Sequence, residues 1–202
     1  MTSMNKAVEY YFAPQSPWAY LGHERFSAIA AKAGATVRVM PVDLGRVFPV
    51  SGGLPLPKRA PQRQAYRLAE LARFSKHLQL PMNIQPKYFP VGGDDAAKLI
   101  ISVDMNDGAA QAMRVASAIQ RACWAEERDI AALATLTEIL LSLGLPAERM
   151  AQARAQAVQE RYDADTQRAI DIGVFGAPTY VIDGEMFWGQ DSLDFVERKL
   201  MA

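Results

Sequence analysis

The chain has 202 residues, half of them hydrophobic and 22% charged, with 22 Lys plus Arg against 22 Asp plus Glu. That composition can build a core, and its charge balance argues against a protein that grips nucleic acid or an anionic membrane through its overall field. Cys123 is the single cysteine, which excludes an intrachain disulfide, and His23 and His77 complete no zinc-type spacing with it.

No stretch of the sequence nears the ~18 uninterrupted apolar residues of a membrane span. The residues ahead of Ala7 lack the apolar run of a signal peptide, so a soluble, reducing, cytoplasmic setting is the expectation. Ala7–Phe12 (AVEYYF) is short and rich in β-branched and aromatic residues, and predicts a strand. Ser16-Pro17 then opens a helix, because serine is a favoured N-cap and proline suits the first helical position. Trp18, Leu21, Phe26, Ile29 and Ala30 carry the helical spacing to Gly34, and residues 36–42 alternate as a second strand. Strand, helix and strand make a βαβ unit with parallel strands.

Residues 45–61 are punctuated by glycines and prolines and predict a loop. Lys58, Arg59 and, just beyond, Arg63 offer a local positive site there, although a solvated loop face explains each of them equally. Helical patterns follow over 62–80, 94–105, 108–127, 129–143 and 147–172, the last with a candidate break at Tyr162-Asp163. Residues 179–182 and 185–188 then read as a hairpin about Asp183-Gly184, and Asp191 or Ser192 caps a final helix.

The order β-α-β, helical block, α-β-β-α is a thioredoxin topology, an α/β fold with a large all-helical insertion. It assigns 1–57 and 160–202 to the thioredoxin-like domain and 58–159 to the inserted helices. The motifs carry the reading further. Ser16-Pro17-Trp18-Ala19-Tyr20-Leu21, and later Gly173 to Thr179 with Phe187-Trp188-Gly189-Gln190-Asp191, resemble the 2-hydroxychromene-2-carboxylate isomerases. These are DsbA-like proteins related to kappa-class glutathione transferases. Tyr66 and His77-Leu78-Gln79-Leu80-Pro81 extend the resemblance into the insertion.

The resemblance implies that Ser16 stands where thioredoxins carry the first cysteine of Cys-x-x-Cys. Gln15-Ser16-Pro17-Trp18 contains no thiol, so the thiol must be bound, and the family binds glutathione. Ala177-Pro178-Thr179 resembles the cis-proline turn, whose Ala177 N–H and C=O pair with the cysteinyl part of that tripeptide. Gln190 and Asp191 match the polar pair that receives its γ-glutamyl group, and Ser192 replaces a basic residue of many relatives. Arg63 takes the position of a lysine, whereas Gly53 takes that of an asparagine and loses its amide. The cofactor set so implied is Ser16, Pro17, Arg63, Ala177, Pro178, Gln190 and Asp191. The implied partners are a small aromatic carboxylate substrate and a second copy of the chain.

The chemistry has its own logic. A free thiol titrates near ~8.5 and is mostly protonated at neutral pH. A hydroxyl donor and a helix N-terminus both favour the thiolate. A plain N-cap is the competing reading of Ser16, and an N-cap is also the competing reading of Asp191. Cys123 reads as a small core residue. Trp18, Tyr11, Phe12 and Trp188 read either as an aromatic-accepting pocket or as core. Beside the isomerase stand two alternatives, a kappa-like transferase or peroxidase and a non-catalytic thiol- or peptide-binding protein.

Overall fold

β1 (Ala7–Phe12), β2 (Thr36–Pro41), β3 (Thr179–Ile182) and β4 (Glu185–Trp188) form one sheet in the order β2-β1-β3-β4. The computed structural model describes residues 6–202; of the six residues ahead of Ala7 on which the leader reading rests, the first five lie outside the described residues. β1 runs parallel to β2, from Ala7 opposite Thr36 to Phe12 opposite Pro41, and antiparallel to β3. The parallel pair needs a long connection, and α1 (Pro17–Ala33) supplies it. Gly34 ends this helix at φ 62°, with Gly34 N–H bonded to Ala31 C=O and Ala35 N–H to Ala30 C=O, the paired bonds of a Schellman motif. The β3–β4 hairpin turns through Asp183 (φ 52°) and Gly184 (φ 81°), the two positive values that a primed two-residue turn demands.

The insertion departs from the sequence reading in two places. Residues 45–61 are not a continuous loop, since they hold α2 (Leu44–Ser51) and a 3₁₀ turn over Leu56–Lys58. Asp43 nucleates α2 by accepting from Gly45 N–H at 2.7 Å. Pro49 is tolerated inside α2 because the carbonyl it leaves unbonded belongs to Gly45, which is exposed to water. After α3 (Pro61–Leu78), α4 (Asp94–Asp107), α5 (Ala109–Trp124) and α6 (Leu133–Ser142), the pattern over 147–172 divides into α7 (Glu148–Gln152) and α8 (Gln156–Asp171). The break therefore falls at 153–155 and not at Tyr162. Tyr162 is buried in mid-helix, and its hydroxyl donates to Asp94 at 2.9 Å, tying α8 to α4. The sequence boundaries at 57/58 and 159/160 fall inside the 3₁₀ turn and inside α8. α9 (Leu193–Met201) closes the chain.

Sheet and insertion share one core. Tyr10 stacks on Phe12 at 4.5 Å and on Tyr180 at 5.4 Å, with Phe26 of α1 at 4.8 Å. Leu99 and Ile100 of α4 and Val115 and Ile119 of α5 belong to the same buried cluster. Each such side chain contributes about 1.5–3 kcal/mol by leaving water. On the other face, the Glu9 carboxylate accepts from Tyr11, Arg38 and Arg168, each at 2.6 Å, joining β1, β2 and α8.

His23, partnerless in the sequence, is buried in this core. Its Nε2 lies 2.9 Å from Met113 C=O and its Nδ1 3.2 Å from the Tyr10 hydroxyl. A carbonyl only accepts, so Nε2 carries the proton and Nδ1 accepts from tyrosine. Burial holds the His23 pKa below its ordinary 6.5. Glu9 is held below 4.5: burial opposes this, but the hydrogen bonds and charges of Arg168, Tyr11 and Arg38 outweigh it. The unfolded chain therefore binds more protons than the fold as pH drops through 6.5 and again below 4.5, so stability falls in both windows. Urea midpoints against pH are expected to decline from about 6.5 downward, and His23→Gln is expected to flatten the first segment. Identical slopes in parent and variant would contradict this assignment.

Gly22 sets how closely the last turn, a 3₁₀ turn over Gln190–Ser192, approaches α1. A Cβ there would lie 2.8 Å from Gln190 Cβ and 3.1 Å from the Tyr180 hydroxyl. Alanine favours the helix by about 0.8–1 kcal/mol, but overpacking at this contact costs about 1–3 kcal/mol. Gly22→Ala is accordingly expected to destabilise, and a higher urea midpoint would refute the packing account.

Candidate thiol-binding site

Ser16 and Pro178 come from opposite ends of the chain and meet at the end of the sheet. β1 delivers Ser16 to the start of α1, and the stretch after α8 delivers Ala177 and Pro178 to the start of β3. Ser16 Oγ lies 3.5 Å from Ala177 C=O and accepts from Ala19 N–H at 3.2 Å. Ser16 is thus an N-cap in fact, with Pro17 at the first helical position. The two roles that seemed to compete use different parts of the hydroxyl. A lone pair caps the helix, while the O–H proton has only the long contact to Ala177 and remains available to a stronger acceptor.

No acidic side chain occupies the first turn of α1, so the positive end of its dipole is uncompensated. The Ala177–Pro178 peptide is cis. Ala177 N–H bonds to no described residue, and the Ala177 carbonyl has only the distant Ser16 hydroxyl. A half-buried donor with no described partner and an acceptor with only one long contact stand beside a helix N-terminus, an arrangement that can pair with an extended backbone and receive an anion next to Ser16 Oγ.

The remaining predicted residues divide. Gln190 is buried, and Arg25 donates to its side-chain Oε1 at 2.8 Å and to its backbone carbonyl at 3.3 Å. That amide therefore anchors the turn to α1, leaving Nε2 without a partner. Asp191 is exposed at the start of the last turn. Its carboxylate curls over Gly189, where a Cβ would meet it at 2.3 Å. Arg63 is exposed on the first turn of α3 and makes no ion pair with a described residue. At Gly53, a Cβ would lie 2.4 Å from the Phe48 ring, so the asparagine that the resemblance implies at this position has no room unless that ring moves.

Tyr11 and Phe12 are fully buried core. Trp18 packs edge-on against Phe74, and the half-exposed Trp188 covers Gly176 beside Ala177. Cys123 is buried, and burial raises its thiol pKa to about 12, which leaves no thiolate for chemistry. A groove of about 690 Å³ runs between α1 and α5, but neither Ser16 nor Ala177 nor Pro178 lines it. It has no part in this site.

Sequence reasoning missed the wall next to Ser16. Trp124 Nε1–H donates to Gln15 C=O at 3.2 Å, and Phe89 packs on Trp124 with ring centroids 4.7 Å apart. Arg67 lies against both rings. Its one sequence signal is the four-residue spacing from Arg63, which does not tell a buried arginine from an exposed one.

Residues 7–201 match the DSBA-like thioredoxin domain. The chain is 30% identical to a 2-hydroxychromene-2-carboxylate isomerase of Pseudomonas putida, over 96% of this chain and 93% of that one. It belongs to the 2-hydroxychromene-2-carboxylate isomerase family. A solved structure of a 2-hydroxychromene-2-carboxylate isomerase superposes with a TM-score of 0.81 at 27% identity, covering 96% of this chain and 94% of that chain. Glutathione S-transferase kappa 1 of Caenorhabditis elegans is 24% identical over 94% of this chain and 88% of its own. Members of this isomerase family thus share the DsbA-like fold, and here it presents a serine at the start of α1. Among the described residues no helix is long and apolar enough to cross a membrane.

Proposed function

We propose that this family member is a glutathione-dependent isomerase interconverting 2-hydroxychromene-2-carboxylate and trans-o-hydroxybenzylidenepyruvate. One observation carries the proposal. The Ser16 hydroxyl, at an uncompensated helix N-terminus, lies beside the Ala177 N–H, which bonds to no described residue, and the Ala177 carbonyl, whose one described contact is the 3.5 Å one to Ser16 Oγ. The kinship with a kappa glutathione transferase supports glutathione as the thiol.

Glutathione, when bound, supplies a thiolate whose reversible addition to the conjugated carbon turns the double bond into a rotatable single bond and which leaves unchanged. The protein's own part is to hold that sulfur as an anion. Ser16 O–H donates to it, and the first N–H groups of α1 stabilise its charge. Ala177 N–H and C=O align the peptide backbone, and Pro17 starts α1 without adding a competing donor. By the family resemblance Asp191, exposed and without an ion pair to a described residue, would accept from an α-ammonium, and Arg63 would take a carboxylate.

The test is isomerisation of trans-o-hydroxybenzylidenepyruvate by protein freed of small-molecule thiols, with and without glutathione. Turnover only with glutathione, and no net loss of glutathione, is the expected result. Conjugation to 1-chloro-2,4-dinitrobenzene without isomerisation would replace the reading by a transferase. A folded protein inert to both substrates would leave a binding protein.

A further inference from the structure

Arg67 is a largely buried cation without a carboxylate partner among the described residues. It is 8% exposed, yet it makes no hydrogen bond or ion pair with any described residue. Its guanidinium lies 5.1 Å from the Phe89 ring centroid and 5.8 Å from that of Trp124. Cation–π contact offsets part of the cost of removing the charge from water, but a guanidinium without an acceptor remains expensive. Burial, aided by the charge of Arg59, lowers the Arg67 pKa to about 10, which still leaves it charged at neutral pH. Arg59, Arg63 and Arg67 are all without a carboxylate partner among the described residues, so the surrounding field is positive as well.

Two contacts connect Arg67 to Ser16. Trp124, which stacks near Arg67, donates to the carbonyl of Gln15, the residue before Ser16. About two turns further along α3, Phe74 packs against Trp18 on the first turn of α1. The Gln15 side chain lies over Gly93, where a Cβ would come within 2.0 Å of its Oε1, and that oxygen is buried without a partner. The serine site's surroundings therefore include an arginine without a described partner, an unpaired amide oxygen and two aromatic rings.

We infer that Arg67 is a carboxylate-binding residue of this site, with the half-buried Phe89, backed by the buried Trp124 ring, providing the apolar surface for a conjugated or aromatic body. Its planar fork matches a carboxylate bidentately. The carboxylate belongs either to the aromatic substrate or to glutathione. The inference rests on the isomerase reading only for the substrate's identity, and its test needs no turnover.

The experiment is calorimetric titration of the parent, Arg67→Met and Arg67→Lys with trans-cinnamate, with cinnamamide and with glutathione. Met replaces a buried charge by an apolar chain of similar length and is expected to fold at least as stably. Cinnamate is expected to bind Arg67→Met about 10- to 100-fold more weakly than the parent. Cinnamamide should bind both alike, glutathione affinity should hold, and Arg67→Lys should recover part of the loss. Loss of glutathione affinity with cinnamate unchanged assigns the same role to the peptide's carboxylate. Parent-like affinity of Arg67→Met for both ligands overturns the inference and leaves Arg67 a packing residue. Should Arg67→Met fail to fold, Arg67→Lys decides. Its point charge is expected to weaken one of the two carboxylates several-fold, and parent-like affinity for both again overturns the inference.

Discussion

Ser16→Ala is expected to lower glutathione-dependent turnover by about 10²- to 10³-fold, the range seen when a single positioned donor is removed from developing charge. The same change removes a helix cap and is expected to cost only about 1 kcal/mol of stability. The disproportion is the point of the experiment. A hydroxyl serving α1 alone would show the stability loss and little change in rate, because Ala19 N–H is its one close partner among the described residues. Steady-state kinetics beside urea denaturation separate the two outcomes, and a variant as active as the parent removes Ser16 from the mechanism.

Trp124→Ala is expected to have the largest effect on stability, a loss of about 3–5 kcal/mol against the ~5–15 kcal/mol of a typical domain. Its ring is fully buried in the core that the sheet shares with the insertion. It also holds the loop before α1 through Gln15 C=O and packs on Phe89. Trp124→Phe keeps most of the apolar volume but loses the N–H. It is expected to cost less in stability while loosening Gln15, which would show as reduced turnover at near-parental stability. A urea midpoint for Trp124→Ala equal to the parent's would contradict the shared core.

The sheet was legible because its signals are local: AVEYYF, the alternation after Thr36, and Asp183-Gly184 between two β-prone runs. Ser16-Pro17 declared the start of α1 for the same reason. α2 was hidden, because Pro49 and the glycines around it outvote the Asp43 cap on any local count. The break between α7 and α8 falls in Ala153-Arg154-Ala155, residues that favour helix, so the cause is tertiary. Arg149 binds Asp107 through two bonds at 2.6 and 2.8 Å and fixes α7 against the end of α4.

At the site, residues in motifs were visible and residues that act across the fold were not. Arg67 and Arg63 look alike in sequence, yet one is buried against two aromatic rings and the other is exposed. Likewise nothing near Gln190 announces that Arg25, far away in the chain, occupies its amide oxygen. His23 met its partners, Tyr10 and Met113, only through packing.

The account turns on Ser16 and the start of α1 stabilising a bound thiolate. Ultraviolet titration of the thiolate band of glutathione bound to the protein measures this directly. The bound thiol is expected to titrate at least about one unit below the ~8.5 of a free thiol, and to move back toward that value in Ser16→Ala. A bound thiol that titrates like free glutathione in the parent would contradict the account.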